Sequence, residues 1–175
     1  MKKIILMAAA LLSAVGVFAA ENLLKNGTFE QLVAGKPAAW NLPKTDPGIT
    51  FFGDGAPESG YVKFDIVKNG KKTSANIWQS VSKVVKSGGK YQITFKLRTK
   101  GFRGNIRLIA INDGWQRGAG YSIGGRFPTN WTECKKVFEM PEFKKDARFL
   151  IWVTATQGVA EFADVKLESV EDAAK

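Results

Sequence analysis

Histidine is absent from this 175-residue sequence, and cysteine occurs once, as Cys134. Those two shortages exclude zinc sites built from His or Cys, haem ligation, and any Ser-His or Cys-His nucleophile pair. A metal ion here would need oxygen ligands. One cysteine cannot form an internal disulfide, so the chain depends on its core rather than on a cross-link. Acids are also scarce relative to bases: 16 Asp and Glu stand against 26 Lys and Arg, a formal charge of +10. What is plentiful is apolar and aromatic, at 45% and 11% of residues. That is a globular composition, too apolar for a disordered chain.

Residues 1–20 separate from the rest. Lys2 and Lys3 give a positive start, 4–18 is an unbroken run of apolar and small residues, and Ala19 and Ala20 end it. This pattern predicts a secretory signal peptide over 1–19. A cut after Ala19 puts Val17 and Ala19 at the small-residue positions, whereas a cut after Ala20 would put Phe18 there. The apolar run is shorter than the roughly 20 residues of a spanning helix, which argues against membrane insertion. The expected location is secreted or periplasmic. Residues 20–170 then suit one domain with a sizeable core, and the polar tail 171–175 is expected to fray.

No stretch after residue 20 sustains a helical apolar period, whereas alternation at period two recurs. In the run 91–98, Tyr91, Ile93, Phe95 and Leu97 face one way and Gln92, Thr94, Lys96 and Arg98 the other. Further strands are predicted at 49–52, 61–67, 75–81, 105–111, 132–138, 148–154 and 160–168. Between them lie turn-rich pieces at 53–57, 68–71, 87–89, 101–104, 112–114 and 124–125. Eight or nine short strands at this spacing predict an all-β, antiparallel β-sandwich or barrel.

Four segments in chain order carry a resemblance. They are Asn22-Leu-Leu-Lys-Asn-Gly-Thr-Phe-Glu30 with Gly35, Pro37 and Trp40; Ile77-Trp-Gln-Ser-Val81 with Gly89-Lys-Tyr-Gln-Ile-Thr-Phe95; Asn130-Trp-Thr132 with Phe138 and Pro141; and Phe162-Ala-Asp-Val-Lys-Leu167. Together they resemble the carbohydrate-binding modules of families four, nine, sixteen and twenty-two, which have a galactose-binding-like jelly-roll sandwich. The resemblance implies that fold, and a non-catalytic protein that binds a polysaccharide or oligosaccharide. It also implies a structural Ca2+ held by Glu30, the carbonyl of Thr28, and Asp164. In place of the first Asp of the family's closing pair, this chain has Ala163. The alternative is that Glu30 and Asp164 are solvated or paired with Lys.

Sugar sites use flat aromatic faces, with polar side chains at the edge for the hydroxyls. Tyr91, Phe95, Trp40 and Trp131 fit the core, which leaves Trp115, Trp78, Tyr121 and Trp152 as platforms. Trp115 stands out because it lies in a polar loop with Asn112 and Gln116. Arg98 and Arg107 complete the polar contacts, and basic groups there would suit carboxylated or sulfated sugars. The bland alternative is that these charges belong to a solvated sheet face. Two other classes stay open: a structural or protein-binding domain, and a small hydrolase or lyase. Asp54, Glu58 and Asp113 form no clustered carboxylate pair, whereas a lyase could use Tyr121 with Arg126 or a Lys, without His. The basic residues are scattered without a nucleic-acid motif, so nucleic acid is not expected as a partner. A monomer is expected.

Overall fold

The structure is a computed structural model that describes residues 21–42, 48–52, 60–66, 71–112 and 118–170. Residues 1–20, where the signal peptide is expected, and the tail 171–175 lie outside these residues, as do 113–117 with Trp115 and Gln116. The described residues form strands and turns, with no helix among them. A small hairpin, β1 (Leu32–Val33) with β2 (Lys36–Pro37), precedes the sheet strands. These are β3 (Ile49–Phe52), β4 (Tyr61–Ile66), β5 (Thr73–Ser80), β6 (Lys90–Ile111), β7 (Gly118–Gly124), β8 (Thr132–Glu139) and β9 (Arg148–Ser169).

All pairing is antiparallel, and β6 and β9 run side by side through the centre. Their register shifts between Thr94 and Lys96 and again between Lys100 and Gly104. At the second shift their neighbours change. The early half of β6 lies between β8 and the late half of β9, with β4 and β3 beyond; we term this order, β3-β4-β9-β6-β8, the front sheet. The late half of β6 lies between β7 and the early half of β9, with β5 beyond; this order, β5-β9-β6-β7, is the back sheet. The hydrogen-bonded surface folds on itself at the shift, and its two layers close over one core as an antiparallel jelly-roll sandwich.

Alternation explains which residues fill that core. Val62, Phe64 and Ile66 of β4, Tyr91 to Leu97 at odd positions of β6, and Phe162, Val165 and Leu167 of β9 are buried from the front sheet. Ala75 and Ile77, Ile106 and Leu108, and Ile151 and Val153 are buried from the back sheet. The bulge at Asp164, whose φ is +50°, lets both Phe162 and Val165 point inward.

The N-terminal motif has structural work. Asn22 Oδ1 accepts from Leu167 N (3.0 Å) and Asn22 Nδ2 donates to Val165 O (3.2 Å), clasping the segment to β9. Buried Gln79 satisfies both ends of its amide on Lys25: it accepts from the backbone N–H (3.1 Å) and donates to the carbonyl (2.7 Å). Trp40 is buried, as expected, with its ring 5.3 Å from Phe29 and Nε1 donating to Asn26 O (3.1 Å).

Three expectations change. The turn predicted at 101–104 is part of β6, so 91–98 and 105–111 are one bent strand; 148–154 and 160–168 likewise join as β9. Pairing between β6 and β9 carries both through glycines that look locally like breaks. The stretch 118–124 is a strand that the sequence reading lacked. Trp131 does not pack between the sheets: it is half-buried on the outer front face, where Arg98 Cζ lies 4.5 Å from its ring centre.

Candidate functional site

The outer face of the back sheet brings together residues from four strands. In register across it, Asn76 of β5 opposes Trp152 of β9, which opposes Arg107 of β6, which opposes Ser122 of β7. One row along, Trp78, Leu150, Ile109 and Gly120 align in the same way. Leu150 and Ile111 are buried but stand apart from the central core, and Ile109 with Ile111 gives this surface an apolar floor. Above them runs a trough of about 500 Å3 lined by Arg107, Ile109, Ile111, Gly118, Ala119, Gly120, Ser122 and Trp152.

Sequence creates this trough by what it leaves out. Gly118, Gly120 and Gly124 pair with Ile111, Ile109 and Asn105 on the β7 edge, where larger residues would otherwise stand against the floor. A Cβ at Gly118 would lie 3.2 Å from Ile109 Cδ1 and Ile111 Cγ2. Trp152 is half-buried, and its Nε1 donates to Ser74 Oγ (2.6 Å) across β5, which holds the ring in place. Arg107 Cζ lies 5.7 Å from the Trp152 ring centre, and Arg148 Cζ lies 4.5 Å from that of Trp78; both are within cation-π range. A half-exposed aromatic, a guanidinium, hydroxyls and an apolar floor can hold a ring-shaped polyol, with stacking for its C–H face and donors for its edge.

The expected site residues thus divide. Trp78, Trp152 and Arg107 share this face. Asn112, at the end of β6, donates from Nδ2 to Glu142 O (3.0 Å). Trp115 and Gln116 lie outside the described residues. Tyr121 packs toward the core instead: its ring meets Phe95 edge-on at 5.0 Å, and burial together with a hydrogen bond to Cys134 pushes its phenol up to about 12. Burial likewise raises the Cys134 thiol, which weakens it as a nucleophile. Arg98 belongs to the front sheet, where its Nε donates to Glu161 and its guanidinium lies 4.5 Å from the Trp131 ring centre and 5.6 Å from that of Tyr61. Sequence reasoning missed Ile109, Ser122 and the β7 glycines. The signal that could have found them is small residues at every second position from 118 to 124.

The donor set implied for calcium does not fit the ion as it stands. Asp164 Oδ2 is engaged by Lys96 Nζ at 3.0 Å, and Glu30 accepts from Thr28 Oγ1 (3.2 Å). Among the described residues, no three of the Asp, Glu and Cys side chains cluster as metal ligands. Calcium takes six to eight oxygens. An ammonium beside one of only two carboxylates works against it.

No protein-family model matches the chain, and no curated protein matches its sequence. Solved structures do match. A family 16 carbohydrate-binding module superposes with a TM-score of 0.59 at 21% identity, covering 86% of this chain and 100% of its own. TmCBM61, solved in complex with β-1,4-galactotriose, gives 0.59 at 16% identity, with the same coverage. The CBM22-1 xylan-binding domain of Xyn10C from Paenibacillus barcinonensis gives 0.57 at 12%, covering 89% of this chain and 98% of its own. The chain therefore has the antiparallel jelly-roll fold of carbohydrate-binding modules.

Proposed function

We propose that this protein is an exported, non-catalytic carbohydrate-binding module that holds a polysaccharide or oligosaccharide, neutral or acidic, on the outer face of the back sheet. The observation that carries this reading is the trough between Trp152 and the glycine-lined β7 edge. Two of the similar structures are described by their sugar ligands, galactotriose and xylan, which supports the class of partner. A non-catalytic role is supported by the outward positions of the four strands, which hold no Asp or Glu to serve as a general acid and base. Tyr121 is turned toward Phe95 with its phenol pushed up by burial, which makes it a poor base for a lyase. The leader supports export, to a periplasm or beyond. A monomer is supported by the charged outer strand β8, whose Glu133, Lys135 and Lys136 are exposed and discourage edge pairing.

The test is a glycan array with the mature protein and with Trp152→Ala, at low and moderate salt. Salt-resistant binding that weakens about tenfold or more in the variant is expected, as when a central aromatic is lost. Binding indifferent to Trp152, or absent, would shift the chain to the structural or protein-binding class.

In this reading Lys96 supplies at Asp164 the positive charge that the resemblance assigns to Ca2+. Adding EDTA is therefore expected to move the Tm by less than about 1 °C. An ion held at a hundred times its Kd would contribute about 2.7 kcal/mol, and its removal would lower the Tm by roughly 5–10 °C. A fall of that size would restore the ion.

A further inference from the structure

We infer that the glycan held in the trough carries a carboxylate, as a uronic acid does, and that Arg107 is the residue that selects it. The inference rests on the reading of the trough as a sugar site. Its own support is the charge of that surface. The outward positions of β5, the early half of β9, the late half of β6 and β7 contain two arginines and no acid. The two arginines are not equivalent. Arg148 is held by Asp146, with Nε to Oδ2 at 2.6 Å, while it covers Trp78. Arg107 is exposed and has no carboxylate partner among the described residues.

A guanidinium over an aromatic ring, above an apolar floor, with no carboxylate beside it among the described residues, is a cation open to an anionic ligand. A pyranose stacked on Trp152 would bring the substituents at its rim within reach of that guanidinium. A carboxylate on the sugar ring is planar and singly charged, and it matches the fork of one arginine with two parallel hydrogen bonds. A sulfate ester is tetrahedral but can accept the same two bonds, so dextran sulfate is the competing arm of the test. On the front sheet Arg98, the cation that lies over aromatic rings, is satisfied by Glu161, Lys96 by Asp164 and Lys63 by Asp65; Lys100, Lys135 and Lys166 are exposed but lie over no ring among the described residues. The net charge of +10 would draw acidic polymers to the whole surface. Among the described residues, the trough is where a cation without a carboxylate partner lies over a half-exposed ring.

The experiment measures affinity for galactan, polygalacturonate, dextran sulfate and polyglutamate, in about 50 and about 300 mM NaCl, a change that shortens the Debye length roughly two- to threefold. The proteins are wild type, Arg107→Gln, Trp152→Ala and, as a control on the far sheet, Lys100→Gln. The expected result is polygalacturonate bound about tenfold more tightly than galactan at the higher salt. Arg107→Gln should collapse that ratio, as loss of a charge-assisted pair does; Trp152→Ala should weaken both sugars, and Lys100→Gln neither. If Arg107→Gln leaves the ratio intact while Trp152→Ala weakens both sugars, the trough stands as a glycan site and the selection by Arg107 is overturned. Equal binding of polyglutamate, or a preference for dextran sulfate, overturns the uronate assignment as well. If Trp152→Ala changes binding to no glycan, the underlying reading of the site fails instead.

Discussion

Phe162→Ala is expected to cost about 3–5 kcal/mol, the range for a buried phenylalanine whose neighbours cannot collapse into the gap. Phe162 is fully buried on β9, in register with Val62 on one side and Leu97 on the other. Its ring meets Phe64 edge-on at 5.5 Å and lies 6.3 Å from Phe95, so truncation removes two aromatic contacts besides opening a cavity. These neighbours sit on β4 and β6, the two strands that flank β9, and the sheet fixes their backbones. They cannot move toward one another without breaking register. Against a total stability of about 5–15 kcal/mol the loss is large, and a fall in Tm of about 10 °C or more should accompany it. Urea unfolding with an unchanged slope would measure it. A cost below about 1.5 kcal/mol would mean that the site is far less tightly packed than described.

Gly158→Ala should be nearly as damaging, for a different reason. Gly158 has φ of +94°, and a Cβ there would stand 2.4 Å from Gly101 O and 2.6 Å from Phe102 Cα. Both obstacles are backbone, at the bend where β6 passes β9. Neither can swing aside as a side chain could. Backbone strain of about 1–2 kcal/mol at a left-handed position adds to overpacking of about 1–3 kcal/mol. Gly35→Ala provides the comparison. Gly35 also has positive φ, +73°, but nothing lies within 4 Å of its Cβ direction. It should lose only about 1–2 kcal/mol, the conformational part alone. Equal losses at the two sites would show that the close approach at the bend carries no weight.

Fold class was legible in the chain because it depends on period, which the sequence shows directly. Tyr91, Ile93, Phe95 and Leu97 announce a half-buried strand, and all four are buried as their alternation requires. Strand continuity was not legible. Gly101 and Gly104 are locally the signature of a turn; their place inside β6 comes from hydrogen bonding to a partner more than fifty residues away in β9. β7 stayed hidden for the related reason that glycine has low strand propensity, yet Ile123 and Tyr121 have enough inward apolar surface to hold it at the edge.

The site was legible in part. Trp78, Trp152 and Arg107 were nominated as separate residues, and the register of β5, β9 and β6 puts them on one face. Alternation alone could not rank Trp152 above Trp131, since each stands among polar and apolar neighbours. Burial of Tyr121 likewise depends on Phe95 from the opposite sheet, a contact with no local trace. Arg98 and Arg107, nine residues apart on one strand, separate onto different sheets because β6 bends between them.

That bend also determines how the molecule should respond to being loaded. Because β6 and β9 each belong to both layers, the strand that carries Arg107 is the strand that carries Phe95, and Trp152 shares its strand with Phe162. A partner gripping the back sheet therefore pulls on the deepest part of the core. Amide protons in the front sheet should exchange more slowly once the trough is filled, although no ligand touches them, because opening either layer requires opening the two strands they have in common.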